Sequence, residues 1–276
     1  MSDAEVPEVD RSGPGRHWRR NLPGRRTLRD GTVLYWWAEI ASLLAFYFVY
    51  STIRNSTEGT PSTARRHAYQ LIEWQQTLGL NHEHALQRWA LEFRPIIIAS
   101  NYFYGSLHFV VTTGVMVFLY RKCSDDYPLW RNTIAIATAI ALVGFAFWPL
   151  MPPRLMPHHF GFVDTLDKYP TFWSFKRGAV NKISNQYAAM PSVHCAWALW
   201  CACALVPRLQ HTWAKVLAAL YPVGTVTAIV LTANHFFLDA VGGFLALGIG
   251  FLIARTFTRA GRGTPVDEPA PMYPRP

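Results

Sequence analysis

Charged side chains are scarce in this chain, 16% of 276 residues against 51% hydrophobic ones, an apolar excess for a globular protein of this size. Cysteine is nearly absent. Of Cys123, Cys195, Cys201 and Cys203, three fall in one apolar stretch without metal-ligand spacing, so no disulfide framework and no thiolate metal site is implied, and they read as small core residues. The chain also lacks a basic face: its formal charge of +9 is spread over tails and loops, which argues against nucleic acid as a partner. A shared metal is excluded at His82-Glu83-His84, because residues two apart on a helix point in different directions. That segment reads as an exposed helix start, and His158-His159 reads the same way. No cofactor is called for.

What the chain does have is long apolar runs near the ~20 residues that cross a bilayer as a helix. Six are read: 33–50, 95–120, 133–150, 191–206, 213–231 and 236–256. The expected fold is therefore all-α, a polytopic membrane bundle of six transmembrane helices. Its domains are a disordered basic tail over 1–32, a membrane catalytic domain over 33–257, and a disordered Pro-rich tail over 258–276. The first run lies far from the start and lacks a small-residue cleavage site, so it is expected to remain as an anchor. Glu39 within it is assigned no role.

Orientation follows from Lys and Arg. With the N-terminus cytoplasmic, the inside segments gather Arg11, Arg16, Arg19, Arg20, Arg25, Arg26 and Arg29, then Arg121, Lys122 and Arg131, then Arg208 and Lys215, and finally the C-terminal arginines. The outside segments hold fewer, including Arg54, Arg154, Lys176, Arg177 and Lys182. The expected location is a cell membrane, with both termini cytoplasmic and the loop 151–190 and turn 232–235 together on the extracytoplasmic side. Between the first two runs, apolar residues recur at helical spacing over 64–80 and 83–93. Two helices are expected there, either lying in the outer interface with Trp74 and Trp89 at headgroup level or forming an extramembrane cap on the bundle.

Two short segments on that outer side carry chemistry. One is Met190-Pro191-Ser192-Val193-His194; the other is Asn234-His235-Phe236-Phe237-Leu238-Asp239. His235 and Asp239 are four apart and share a helical face, so the carboxylate can fix the imidazole tautomer and stabilise the cation that forms when the ring attacks phosphorus. His194 can protonate the leaving oxygen. A helix starting at Pro191, with the Ser192 hydroxyl, offers amides to phosphoryl oxygens, and Arg154 can add a bidentate contact. The plain alternative is that these are interface histidines satisfied by carbonyls, with Asp239 favoured by the helix dipole. Three ionisable groups beside hydrocarbon are costly without a use, which favours the site.

Ala189-Met190-Pro191-Ser192-Val193-His194 and His235-x-x-x-Asp239 resemble the second and third signature motifs of the type 2 phosphatidic acid phosphatase superfamily. Trp148-Pro149-Leu150-Met151-Pro152-Pro153-Arg154 and Asn101-Tyr102-Phe103-Tyr104-Gly105-Ser106-Leu107-His108 resemble more closely its inositol phosphorylceramide synthase branch. The resemblance spans roughly 95–243. It implies a metal-independent six-helix membrane enzyme acting on membrane lipid substrates, with His235 as the nucleophile forming a phosphohistidine, Asp239 orienting it, His194 as general acid and base, and Arg154 and Ser192 binding phosphate.

The chain departs from that pattern where cations are expected. The superfamily places a Lys seven residues before its Arg-Pro, and here position 147 is Phe while Arg154 follows Pro153; an Arg six residues before the nucleophile is replaced by Ile229. Lys176, Arg177 and Lys182 are candidates to replace them. Asn101, Tyr104, His108 and Thr112 form a polar stripe, read either as a headgroup-binding cavity wall or as interhelical hydrogen bonding. Three functions remain open: a lipid phosphate or polyprenyl pyrophosphate phosphatase; a phosphotransferase, inositol phosphate transfer to a lipid acceptor included; and a membrane binding protein without catalysis. The closely spaced Asp set of metal-dependent alcohol phosphotransferases is absent. Oligomeric state is not legible.

Overall fold

A computed structural model describes residues 25–56, 59–171 and 185–261. Most of the expected N-terminal tail, nearly all of the C-terminal one and the loop stretch 172–184 lie outside the described residues. The chain divides into two units, one up to Ala45 and one from Phe46.

In the first unit, strands β1 (Arg25–Thr27) and β2 (Val33–Tyr35) pair antiparallel, Arg25 opposite Tyr35. Their connection closes with the Thr32 carbonyl accepting the Leu28 amide at 2.8 Å and turns at Gly31, whose φ of 82° suits a residue without Cβ. Helix α1 (Trp36–Ser56) follows and runs on into the second unit.

The second unit is helical. Helix α2 (Pro61–Thr77) starts where it does because Thr60 accepts the Thr63 amide and Pro61 brings a preset φ without needing a hydrogen-bond acceptor. It buries Ala64, His67, Ala68, Leu71, Ile72 and Gln75 on one face and leaves Trp74 exposed. Helix α3 (Glu83–Leu91) buries Glu83, Gln87 and Ala90 and exposes Trp89. Helices α4 (Arg94–Tyr102) and α5 (His108–Lys122) form one continuous rod, joined by a π turn over Phe103–Leu107. Such a turn widens the helix by one residue and re-aims side chains. Then come α6 (Tyr127–Phe147), the short α7 (Thr165–Lys168), α8 (Val193–Leu205), α9 (Thr212–Leu231) and α10 (Phe237–Gly261).

Among the described residues, five helical rods are long and apolar enough to cross a membrane: Trp36–Arg54, Arg94–Lys122, Tyr127–Phe147, Thr212–Leu231 and Phe237–Thr258. The expected span at 191–206 is represented by α8, whose 13 residues reach about 20 Å at the α-helical rise, short of the hydrocarbon thickness. Large apolar side chains point outward along the rods, among them Phe48, Val110, Phe147, Leu217, Leu245 and Phe257. An array this size is costly in water and natural against lipid tails. The rods mark a membrane protein.

Between rods, contact depends on small residues and on indole hydrogen bonds. The most extensive helix pair is α6 with α10, where a Cβ at Gly250 would meet the Thr133 carbonyl and the Ala137 backbone. Seven residues earlier on the same face, Gly243 lies against the Ser192 carbonyl and the Ala196 amide of α8. Trp200 donates to the Trp130 carbonyl at 2.8 Å and Trp197 to the Thr138 hydroxyl at 2.9 Å, fixing α8 on α6. At the other end of α8, Arg208 pairs with Asp126 at 2.6 Å.

Candidate active site

The turn between α9 and α10 is built by local hydrogen bonds. The Ile229 carbonyl accepts both the Asn234 and His235 amides, and Asn234 donates its carboxamide to the Thr232 hydroxyl at 2.8 Å. Ala233 takes a left-handed φ of 51°, strain that an L-residue adopts only when its surroundings hold it there. Its carbonyl accepts the Arg154 amide at 2.8 Å. Phe236, fully buried among Ala64, Ala68, Leu71, Leu150 and Met156, pins the turn beneath α2.

Here the Asp239 carboxylate meets the His235 ring: Oδ2 is 3.2 Å from Nδ1 and also accepts the Phe236 amide at 2.9 Å. An ionised carboxylate only accepts, so Nδ1 carries the proton and Nε2 presents its lone pair. Both residues are buried, Asp239 completely. The next two amides of α10 are met from the other side of the fold, Phe237 donating to Glu83 Oε1 at 2.9 Å and Leu238 to Gln75 Oε1 at 3.1 Å. The first turn of a helix leaves such donors unsatisfied, and here three side chains from three helices meet them. Burial raises Glu83 above the ordinary carboxylate range, with Asp239 acting in the same direction.

The second motif is joined to the first through backbone. Ser192 donates its amide to the Asp239 carbonyl at 2.9 Å, and its hydroxyl caps α8 by accepting the Cys195 amide at 3.5 Å. The Val193 and His194 amides have no acceptor among the described residues, which suits the start of α8 to an anion. The His194 ring centroid lies 5.8 Å from that of His235, close enough for both rings to reach one phosphoryl group. The expected central set of His235, Asp239, His194 and Ser192 is therefore brought together.

The polar stripe on α4 and α5 divides. The π turn lays Tyr104 on the His194 ring with centroids 4.4 Å apart, and the Tyr104 and His235 rings meet edge to face with centroids 6.4 Å apart. His108 meets His194 edge-on at 4.3 Å and hydrogen-bonds the Tyr104 carbonyl at 3.1 Å. Asn101 is engaged elsewhere: its carboxamide donates to the Thr165 and Tyr169 carbonyls and accepts the Thr165 hydroxyl at 2.8 Å, tying the rod to α7. Thr112 faces Cys201 of α8.

The segment Trp148–Arg154 acts as a clasp. Trp148 stacks on His67 at 4.0 Å, and His67 hydrogen-bonds the Pro149 carbonyl at 2.8 Å. Leu150 donates to Tyr187, Met151 to Ala64 and Arg154 to Ala233, so one loop links α2, the approach to Ser192 and the His235 turn. The Arg154 guanidinium pairs with Asp164 at 3.0 Å, and its buried Nε has no partner. Of the positions where a cation was expected, Ile229 is wholly buried and Phe147 is 82% exposed on the outer surface. Lys176, Arg177 and Lys182 lie outside the described residues. No group of three His, Cys, Asp or Glu suited to a metal occurs among the described residues.

Three participants escaped the sequence reading. The sequence places Glu83 in an exposed helix start, which holds for His82 and fails for Glu83 because its carboxylate is drawn onto α10. Gln75 gave only its place on the buried stripe of α2 as a signal. Arg54 reads in sequence as an outer-loop charge, yet it lies in the last turn of α1 and exchanges hydrogen bonds with Asn185, donating at 3.2 Å and accepting at 2.9 Å through its carbonyl.

Residues 69–253 match a family model described as PAP2 superfamily. The match extends past both ends of 95–243, taking in α3 and much of α2. No curated protein and no solved structure matches the chain.

Proposed function

Since the chain belongs to the PAP2 superfamily, we propose that it is an integral membrane phosphatase or phosphotransferase that handles a lipid-linked phosphate or phosphodiester through a phosphohistidine on His235. The observation that carries this reading is the Asp239 carboxylate bonded to His235 Nδ1, which leaves Nε2 as the attacking atom. In the first step Nε2 bonds to phosphorus, the bond from phosphorus to the leaving oxygen breaks, and His194 gives that oxygen a proton. In the second, an acceptor hydroxyl passes its proton to His194, its oxygen bonds to phosphorus, and the bond to Nε2 breaks. Amides at the start of α8 and the Ser192 and Arg154 side chains meet the charge on the phosphoryl oxygens.

With water as acceptor this is a phosphatase; with a lipid or polyol hydroxyl it is a transferase. The likeness of Trp148–Arg154 and Asn101–His108 to the inositol phosphorylceramide synthase branch supports transfer, inositol phosphate to a lipid acceptor being the specific form. The membrane arrangement belongs to the same proposal: α8 serves as a sixth, shorter span, α2 and α3 lie in the outer interface, both termini are cytoplasmic and the site is extracytoplasmic. The excess of basic residues in the inside segments supports that orientation.

The deciding experiment offers purified protein labelled lipid phosphates and phosphodiesters, with and without inositol, ceramide or glycerolipid acceptors, beside His235→Ala. Turnover by wild type and none by the variant is expected. A variant as active as wild type would remove the mechanism. Label found only as free phosphate would remove the transferase form, and label in an acceptor would remove simple hydrolysis.

A further inference from the structure

We propose that Arg54, at the end of the first span and bonded to the segment that leads into Ser192 and His194, is a second phosphate-binding arginine of this site beside Arg154. The inference rests on the phosphoryl-transfer reading above and adds to it a cation from a helix that lies outside the family match. A transferring phosphoryl group spreads its negative charge over its oxygens and needs more than one cation to balance it. Arg154 shares its charge with Asp164 at 3.0 Å, which leaves the phosphoryl charge under-compensated from that side.

Arg54 is held against the segment that leads into the second motif. One helical turn before it, Tyr50 packs on the cluster Ala141, Leu142 and Phe145, against which Val193 and Ala188 also pack. Residues 50 and 54 share a helical face, so Arg54 is turned toward the segment that leads into Ser192 and His194. Its reciprocal bonds with Asn185 fix it to that segment, and the Asn185 carboxamide in turn accepts the Tyr187 amide at 2.8 Å. Tyr187 is the residue whose carbonyl takes Leu150 of the Arg154 clasp. Arg54 and the loop that carries Arg154 are thus both attached to the short stretch 185–187. The Arg54 charge acts on the His194 ring and on the Tyr104 phenol, and the Arg154 charge acts on the same phenol. Arg54 is half-buried, and a guanidinium presents a planar fork that matches phosphoryl oxygens.

The test uses inorganic phosphate as probe and the full chain in lipid nanodiscs, with no turnover required. In wild type, phosphate is expected to slow phenylglyoxal modification of Arg54 and Arg154, read residue by residue by mass spectrometry, while Arg121 and Arg131 react at unchanged rates. Arg54→Gln is expected to weaken phosphate binding about tenfold or more, with Arg54→Lys recovering part of it. Protection of Arg154 without protection of Arg54 would overturn the assignment, as would an Arg54→Gln protein that binds phosphate like wild type. Because the protection measurement uses the native chain, it decides the matter even if Arg54→Gln does not fold. His235→Ala separates this proposal from the mechanism: it should lose turnover and still show phosphate protection at Arg54. A wild type that binds no phosphate at all would sink both.

Discussion

Glu83 accepts the Phe237 amide at 2.9 Å across 154 positions of sequence, and so a residue at the start of α3 holds the first turn of the helix that carries Asp239. Its second oxygen, Oε2, is buried without a hydrogen-bond partner, as are Gln75 Nε2 and Asp239 Oδ1. Glu83→Ala leaves the Phe237 amide unsatisfied, a loss of about 1–3 kcal/mol, and lets the His235 turn drift. The expected outcome is a lower unfolding temperature together with a fall in kcat, measured in the same detergent.

Glu83→Gln tests the charge separately, because the amide oxygen can still accept from Phe237. The folded protein holds Glu83 above the ordinary carboxylate range, so the native state binds a proton more readily than the unfolded chain does. Stability from this group is complete below the unfolded pKa of roughly 4.3 and is lost as pH rises through the folded value. Glu83→Gln should therefore match wild type at acid pH and exceed it at neutral pH. A wild type whose unfolding temperature, relative to the variant, rises with pH from 4 to 7 would reverse this sign.

Gly243 is the second point at which the two motifs are held in register, with its Cα facing the Ser192 carbonyl and the Ala196 amide. Neither backbone group can swing away, so Gly243→Val pushes α10 from α8 and separates His235 from His194. Overpacking of this kind costs about 1–3 kcal/mol, and a shift of about 1 Å in a reacting pair costs about 100-fold in rate. Gly248 on the same helix has open space at its Cβ position. Gly248→Ala should leave activity intact and stabilise α10 by up to about 1 kcal/mol. Equal effects from the two substitutions would show that the close approach at Gly243 does not matter.

Much of this was legible in the sequence because membrane helices announce themselves by length and hydropathy, and because His235 and Asp239 fall four apart on one helix. The meeting of His194 with His235 was legible only through topology, which placed both on one side. What stayed hidden depended on contacts distant in sequence. Glu83 looked solvent-exposed because its partner is a backbone amide, which no side-chain pattern reveals, and Gln75 was hidden for the same reason. The π turn at Phe103–Leu107 shifts Tyr104 and His108 onto His194, whereas a regular 3.6-residue count groups them with Asn101, whose carboxamide is bonded to α7. The shortness of α8 was masked by apolar residues that continue past Leu205 as a turn.

Asp239→Asn isolates the tautomer argument. The carboxamide oxygen can still accept the Phe236 amide, so the first turn of α10 keeps its cap, but it accepts the Nδ1 proton less strongly and stabilises the imidazolium poorly. A fall of roughly 100- to 10,000-fold in kcat with little change in KM is expected. Rapid-quench trapping of the phosphoenzyme should show slower formation of phosphohistidine at an unchanged final site. Unchanged formation kinetics would mean that Asp239 serves the fold alone.

Tyr104 offers the sharpest separation of shape from polarity, since its ring lies on His194 at 4.4 Å while its hydroxyl lies in the field of both Arg154 and Arg54. Tyr104→Phe keeps the stacked ring and removes only the hydroxyl; Tyr104→Leu removes the aromatic face as well. As a positioning residue, Tyr104 should tolerate Phe with a change of less than about tenfold in kcat, whereas Leu lets the His194 ring turn and costs about 100-fold. Under the proposed mechanism His194 is acid in one half-reaction and base in the other, so its misplacement should also flatten the pH profile of kcat. If Phe is as damaging as Leu, the hydroxyl itself contacts the substrate, and Tyr104 joins Arg54 and Arg154 among the groups proposed to bind the phosphoryl oxygens.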